Sequence, residues 1–266
     1  MDYNELKISD TKHSAKKKII AALIVLAVIV TIGAVVSLSI AHKQSKLEDE
    51  SNALKSGTAG LSGDYTFFVT GTDDDKANAD FALLVRAQLF NSSFTVTPLD
   101  LNTTVPDSTL TLSQYYKNGG AVEMANAAEK LKNVSIDRYV RFTRSGLTMI
   151  FGELGHIELD IKNPITLKVA EGEVSIPAGV QELDYEELCD YLLSLCSDKN
   201  NLQFFGDTVC EIIKQYIENT NYSDIDSKFN SIINYTETDI TASDFFAAKD
   251  TIKAFENTSF SFKTVL

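Results

Sequence analysis

Residues 65–97 read YTFFVTGTDDDKANADFALLVRAQLFNSSFTVT and carry the clearest strand signals of the chain. It contains three runs rich in aromatic, aliphatic and β-branched residues, at 65–70, 81–88 and 94–97. Gly71 separates the first run from the second, and Asn91-Ser92-Ser93 separates the second from the third. Short β-prone runs between such breakers are typical of strands. We therefore predict three strands of one central sheet.

Downstream, the pattern alternates between helix and strand. Apolar residues at helical spacing predict a helix that opens at Gly119-Gly120, turns Val122 toward the core and ends near Asn133. Asp184 and Glu187 form a capping box before a later helix. The other predicted elements are strands at 138–142, 157–161 and 260–265 and helices at 147–154, 208–217, 225–233 and 243–255. This alternation predicts an α/β fold, layered α-β-α, with a central mixed β-sheet flanked by helices.

Residues 19–41, IIAALIVLAVIVTIGAVVSLSIA, carry no charged side chain. As a helix they are long enough to cross roughly 30 Å of hydrocarbon, so we predict one N-terminal transmembrane helix. Lysines at 16–18 precede the stretch and acidic residues at 48–50 follow it, which places the N-terminus in the cytoplasm. A cleaved signal peptide ending at Ala41 is the alternative, although its apolar region is normally only about 7–15 residues long.

The span divides the chain into four predicted segments: a cytoplasmic tail at 1–18, the transmembrane helix at 19–41, a juxtamembrane stalk or linker at 42–63 and an extracytoplasmic domain at 64–266. The predicted localisation is therefore the cell membrane, with a single pass and an extracellular C-terminal domain. From residue 42 onward the chain has 19 basic and 34 acidic residues, a formal charge of −15. Nucleic acid repels so acidic a protein, and we predict no nucleic-acid partner.

An acidic loop, Gly71-Thr72-Asp73-Asp74-Asp75-Lys76-Ala77-Asn78-Ala79-Asp80, joins the first two predicted strands. Ligands of α/β sheets commonly bind at the carboxyl ends of strands. Clustered carboxylates there suit Mg²⁺, which takes oxygen ligands and often bridges to phosphates. A solvated acidic turn has the same composition, and the residues alone favour that simpler interpretation.

Short motifs occur in a fixed order along some 200 residues: Gly71-Thr72-Asp73-Asp74-Asp75, Asn78-Ala79-Asp80-Phe81, Pro98-Leu99-Asp100, Thr111-Leu112-Ser113-Gln114-Tyr115-Tyr116-Lys117-Asn118-Gly119-Gly120, Ile136-Asp137-Arg138-Tyr139-Val140 and Ile176-Pro177-Ala178-Gly179. They resemble the G-x-D-x-R, R-x-D-T, P-R-D, K-I-N-x-x-Y-x-x-G-G, I-D-x-Y-V and L-P-A-G motifs of the LytR-CpsA-Psr family of bacterial cell-envelope proteins. The aspartates match, whereas Asp75, Asn78 and Leu99 stand where the family has arginine. Residues 191–212, which correspond to an arginine-rich stretch of the family, contain no arginine. The chain therefore resembles a degenerate member.

The resemblance implies a site for a polyprenyl pyrophosphate-linked glycopolymer. In the family, Mg²⁺ and arginines grip the pyrophosphate while the lipid occupies an apolar tunnel. The matching positions are Asp73 and Asp80 as metal ligands for Mg²⁺, and Asp75, Asn78, Leu99 and Asp100 as ligand-pocket residues. No residue is assigned as catalytic.

Three functions stay open at this point. The leading hypothesis is a membrane-anchored binding or regulatory member of the cell-wall glycopolymer attachment system, in a Gram-positive-type envelope, that has lost transferase chemistry. The first alternative is an active phosphotransferase that moves glycopolymer from its polyprenyl pyrophosphate carrier to peptidoglycan, using Arg86, Arg138, Arg141 or Arg144 from new positions. Ordinary surface placement is the simpler prediction for these arginines. The second alternative is a structural or assembly protein. The predicted partners are the membrane, polyprenyl-linked glycopolymer and cell-wall assembly proteins.

Overall fold

A computed structural model describes residues 64–154, 157–169 and 172–266. The predicted tail, transmembrane helix and stalk at 1–63 lie outside these described residues. Among the residues that are described, no helix is both long and apolar enough to cross a membrane.

The described ranges contain ten strands and six helices. The strands are β1 (Asp64–Thr72), β2 (Ala79–Gln88), β3 (Ser93–Leu99), β4 (Arg138–Thr143), β5 (Ile157–Ile161), β6 (Ile165–Val169), β7 (Gly172–Ile176), β8 (Gly179–Leu183), β9 (Thr236–Thr238) and β10 (Ser261–Thr264). The helices are α1 (Leu112–Lys132), α2 (Arg144–Leu154), α3 (Tyr185–Cys196), α4 (Leu202–Asn219), α5 (Ile225–Ile233) and α6 (Ala242–Ala254).

Six strands form the central sheet in the order β10-β3-β2-β1-β4-β9. β2 runs antiparallel to both β1 and β3, whereas β1 pairs parallel with β4 and β3 pairs parallel with β10. The sheet is therefore mixed, as predicted, and the predicted edge strand at 260–265 is confirmed as β10. Two antiparallel pairs, β5 with β8 and β6 with β7, stand outside this sheet.

Alternating side chains of the strands build an apolar layer on each face of the sheet. Phe67 and Val69 point into the larger layer, which also contains buried side chains of α2 to α6. Phe68 points into the smaller layer, where it lies in one cluster with Met124 of α1. Helices thus cover both faces, and the predicted α-β-α layering is confirmed.

Helix α1 corrects one prediction. It begins at Leu112, where Thr111 and Gln114 form a capping box, rather than at Gly119-Gly120. The two glycines instead kink the helix, because Gly120 has a φ of +68°, which a side chain would disfavour. The kink changes which residues face the sheet, so Val122 is 47% exposed and Met124 is buried. The predicted end at Asn133 is confirmed.

The C-terminal helices follow their predicted signals closely. The carboxylate of Asp184 accepts hydrogen bonds from the backbone amides of Glu186 and Glu187, so the predicted capping box is confirmed. Helix α5 has the predicted bounds, whereas α4 begins at Leu202, six residues before the predicted start. The strands β6, β7 and β8 had no sequence prediction.

The central sheet has two ends that differ in character. At the Asp64 end, strands β1, β3, β4 and β10 begin, and Asp64 pairs with Gln88 of β2. At the opposite end, which we call the acidic-loop end, residues 73–78 join β1 to β2 and helix α2 follows β4 directly. The candidate site lies at the acidic-loop end.

Candidate functional site

The acidic loop is organised around Asp73. Its Oδ1 accepts hydrogen bonds from the backbone amides of Ala77 (2.7 Å) and Asn78 (3.2 Å), and its Oδ2 accepts one from the Asn78 side chain (2.8 Å). Hydrogen bonds from the Asn78 side chain and backbone lower the pKa of Asp73. Asp73 therefore stays ionised and holds the loop closed.

Asp74 connects the loop to helix α2. Its Oδ1 accepts a hydrogen bond from the backbone amide of Ser145 at 2.7 Å, in the first turn of that helix. Hydrogen bonds from Ser145 lower the pKa of Asp74, and the positive end of the helix dipole also favours a carboxylate there. This capping role had no sequence prediction, because it joins residues 71 positions apart.

Of the carboxylates of Asp73, Asp74 and Asp80, that of Asp80 has the fewest groups that stabilise its negative charge. The described residues donate no hydrogen bond to its half-buried carboxylate. Burial raises the pKa of Asp80, the negative charge of Asp73 raises it further, and the nearby Arg144 opposes the shift. The Cys196 thiol lies 3.4 Å from the backbone carbonyl of Asp80, which brings the start of β2 against helix α3.

The pair Asp73 and Asp80 is suited to a divalent cation. A half-buried carboxylate without a donor, in the field of a second carboxylate, is stabilised by an added positive charge. Mg²⁺ in particular is often held by only one or two carboxylates, with water or substrate phosphates completing its shell. Within the described ranges, no group of three or more His, Cys, Asp or Glu side chains could hold a metal ion. The residues therefore fit a sparse Mg²⁺ site and not a complete protein cage.

The four predicted ligand-pocket residues occupy different environments. Asp75 is exposed on the loop, and Asn78 is exposed but engaged with Asp73. Leu99 is only 3% exposed and lies in the same apolar cluster as Met124 of α1, below the sheet surface. Asp100 is half-buried and accepts a hydrogen bond from the backbone amide of Asn102 at 2.9 Å. The structure thus brings Asn78 to the metal candidates but turns Leu99 into the core.

The chain has four arginines, and each one is paired with a carboxylate of the protein. The pairs are Arg86 with Asp64, Arg138 with Asp244 at 3.5 Å, Arg141 with Glu237, and Arg144 with Asp190. None of the four is therefore an unpaired cation directed at Asp73 or Asp80.

Arg141 departs from the predicted surface placement. It is 7% exposed, and its guanidinium donates to the Tyr116 hydroxyl at 3.2 Å and to Glu237. Arg141 lies directly opposite Glu237 where β4 pairs with β9. Because the three-residue strand β9 was not predicted, no sequence pattern placed these two charges together.

A surface cleft of about 440 Å³ opens beside the acidic loop. Lys76 and Arg141 contribute positive charge to its walls, and Asp74 and Glu237 contribute negative charge. The remaining lining residues are Thr143, Ser145, Gly146, Met149, Asn234, Tyr235 and Thr236. With balanced charges and many hydroxyl groups, this cleft suits a polar ligand rather than a lipid chain.

Apolar side chains of β2 and of helices α2 to α4 pack against one another on one face of the sheet. Phe81 of β2 packs against Phe205 of α4, with ring centroids 5.4 Å apart. Leu192 of α3 and Phe151 of α2 are 3% and 0% exposed in the same cluster. On this face of the sheet, the described helices therefore pack directly on the strands.

Comparison with known proteins assigns the domain. The profile of the LytR_cpsA_psr family matches residues 31–265, which is most of the chain. The chain belongs to the LytR-CpsA-Psr family. This match confirms the resemblance that the motifs indicated.

Solved structures share the fold of this LytR-CpsA-Psr chain. A protein described as a transcription regulator from Eubacterium siraeum aligns with a TM-score of 0.66 at 22% identity, covering 79% of this chain and 90% of that chain. TagV from B. subtilis aligns with a TM-score of 0.61 at 19% identity, covering 77% and 85%. TagT bound to LIIa-WTA aligns with a TM-score of 0.57 at 15% identity, covering 80% and 81%. No curated protein sequence gives a significant match.

Proposed function

We propose that this chain is a membrane-anchored LytR-CpsA-Psr protein of the cell envelope that binds or regulates and does not transfer glycopolymer. The observation that carries the proposal is the pairing of all four arginines with the protein's own carboxylates. A carboxylate beside an arginine offsets part of that arginine's charge toward a second anion. The site therefore lacks the cationic clamp that the family resemblance implies.

Phosphoryl transfer makes a strong electrostatic demand on a site. Negative charge must be stabilised on the transferring phosphoryl group and on the leaving phosphate of the polyprenyl carrier, and arginine suits this because it stays charged and donates in a planar fork. Loss of a well-placed arginine of this kind lowers rates by about 10³-fold or more. Here Asp75 adds a negative charge on the loop, and Leu99 is buried away from it. Binding without turnover fits these residues better than catalysis does.

Mg²⁺ belongs to the proposal as a bound ion. Asp73 and Asp80 would hold it, and its charge would shield a phosphorylated ligand from the acidic loop. Asp73 is already positioned by the loop amides, and the half-buried Asp80 carboxylate accepts no hydrogen bond from the described residues. Polyprenyl-linked glycopolymer is the proposed ligand, in keeping with the family resemblance.

A structural or assembly role is the second candidate. It is favoured by the direct packing of Phe81 of β2 on Phe205 of α4, which occupies this part of the layer between the sheet and the helices. In that case the domain would contact cell-wall assembly proteins through its surface.

Turnover and binding assays separate these functions. The full chain is reconstituted with Mg²⁺ and a polyprenyl-pyrophosphate-linked glycan. We expect it to release no more polyprenyl phosphate than the protein-free control does. Turnover that disappears in both Asp73→Ala and Asp80→Asn would contradict the proposal. Asp75→Asn serves as the matched control, because it removes a loop carboxylate that has no such role.

Binding is measured on the detergent-solubilised full chain, immobilised on a resin, with radiolabelled lipid-linked glycan, because the lipid carrier would float with vesicles even without the protein. Retention of the glycan that depends on Mg²⁺ and on Asp80 supports the binding function. Absence of retention, together with absence of turnover, favours the structural or assembly role.

A further inference from the structure

Two phenylalanines are strongly exposed at the Asp64 end of the sheet. Phe90 is 85% exposed in the turn between β2 and β3, and Phe246 is 66% exposed on helix α6. Single exposed apolar residues are common on protein surfaces. Here two exposed aromatic rings lie at the end of the sheet where β1 begins at Asp64.

Phe90 is held outward by a rigid turn. Its neighbour Leu89 is 1% exposed and anchors the turn in the core. The backbone amide of Ser92, a residue with a φ of +46°, donates to the Leu89 carbonyl at 3.1 Å. The Ser92 carbonyl in turn accepts from the amide of Ser261 in β10 at 2.9 Å. The ring of Phe90 is therefore presented to solvent by a well-tied segment.

Phe246 is prevented from turning inward by its own neighbour. Phe245 occupies the core position and stacks on Phe229 of α5, with ring centroids 4.2 Å apart and ring planes 2° from parallel. Asp244 is paired with Arg138 at the start of β4, which fixes the first turn of α6 at the Asp64 end. The exposed ring of Phe246 thus belongs to the same end of the molecule as Phe90.

Part of the negative charge at the Asp64 end is paired. Asp64 and Asp244 form ion pairs with Arg86 and Arg138 there, which weakens the repulsion between these carboxylates and an anionic bilayer. The opposite end of the sheet carries the acidic loop.

The chain enters the domain at the end that carries the two rings. Only 22 residues separate the uncharged stretch at 19–41 from Asp64. We propose that the Asp64 end is a membrane-docking surface, on which Phe90 and Phe246 insert into the interface of the bilayer that anchors the chain. Aromatic rings favour this interfacial region, and a tether makes weak contacts effective by raising the local concentration.

The absence of tryptophan from the chain allows a direct test. The variants Phe90→Trp and Phe246→Trp each introduce a single tryptophan into the full chain, which is reconstituted in vesicles of phosphatidylglycerol and phosphatidylcholine. Met149→Trp is the matched control, because Met149 is 50% exposed beside the cleft at the acidic-loop end. We expect blue-shifted emission and quenching by brominated acyl chains for both phenylalanine variants, and neither effect for the control.

Three outcomes would overturn the proposal: phenylalanine variants that are quenched no more than Met149→Trp, stronger quenching of Met149→Trp, and a chain that does not float with the vesicles. Circular dichroism and unfolding curves verify that each variant is folded. The docking surface rests on the proposed membrane anchor, so a chain that does not float refutes both. A chain that floats, but whose phenylalanine variants are quenched no more than Met149→Trp, refutes the docking surface alone.

Discussion

The two ends of the central sheet differ in how their charges are matched. At the Asp64 end, Asp64 and Asp244 form ion pairs with Arg86 and Arg138. An aromatic cluster around Phe94 lies at the same end. At the acidic-loop end, Asp73 and Asp74 accept hydrogen bonds from neighbouring residues, whereas Asp80 accepts none from the described donors. Asp80 is therefore the carboxylate at this end that a cation can stabilise.

The largest effect is expected in the aromatic cluster of the Asp64 end. Phe94 is fully buried and contacts Phe255, Phe260 and Phe262, with ring centroids 5.2–6.4 Å apart. Phe94→Ala leaves a cavity and should lower the free energy of unfolding by about 3–5 kcal/mol, measured by urea denaturation. Phe90→Ala is the control and should change it by less than about 0.5 kcal/mol, because that ring is exposed. Equal effects from the two substitutions would refute the contrast between packed and presented rings.

An intermediate effect is expected from the cap of helix α2. Asp74→Ala removes the acceptor for the Ser145 amide and should lower the free energy of unfolding by about 0.5–1 kcal/mol. The loss should shrink at acidic pH. The native pKa of Asp74 is lowered, so its stabilisation is present above the unfolded pKa and is lost as pH falls through the native value. Asp75→Ala should be close to neutral, and a larger loss from it would contradict the assigned cap.

The smallest effect, and one of opposite sign, is expected at Asp80. Its native pKa is raised, so its contribution favours folding at low pH and is lost as pH rises through the native pKa. Asp80→Asn should therefore stabilise the domain at pH 7, by less than about 1 kcal/mol because the group is only half-buried. The gain should fade toward pH 4.

Unfolding in the presence of Mg²⁺ provides a further test of Asp80. Unfolding curves with EDTA and with Mg²⁺ should differ for the unmodified chain and coincide for Asp80→Asn, if the ion binds between Asp73 and Asp80. A gain from Mg²⁺ that survives in Asp80→Asn would place the ion elsewhere.

Much of the fold could be predicted because its signals are local. The aromatic runs of β1 to β3 and the capping box at Asp184 need only neighbouring residues to be recognised. The start of α1 was wrong because two glycines were interpreted as a helix opening, whereas the backbone at Gly120 kinks a helix already under way. Strands β6 to β8 lack the aromatic runs that marked β1 to β3.

The candidate site could be predicted only in part for a related reason. Asp73 and Asp80 lie on one loop and match motifs, so the sequence places them together. The pairs Arg141 with Glu237 and Asp74 with Ser145 join residues 96 and 71 positions apart, and no local pattern connects them. The burial of Leu99 follows from which face of β3 meets α1, a choice that the tertiary fold decides.

The position of β10 has a consequence for how the domain is made. Ser261 bonds to Ser92, 169 residues earlier, so β3 gains its outer neighbour only when nearly the whole chain has emerged. Contacts of such large sequence separation slow folding, and an uncovered strand invites pairing with other chains in the meantime. During synthesis, the outer edge of β3 therefore stays unpaired until β10 has been synthesised.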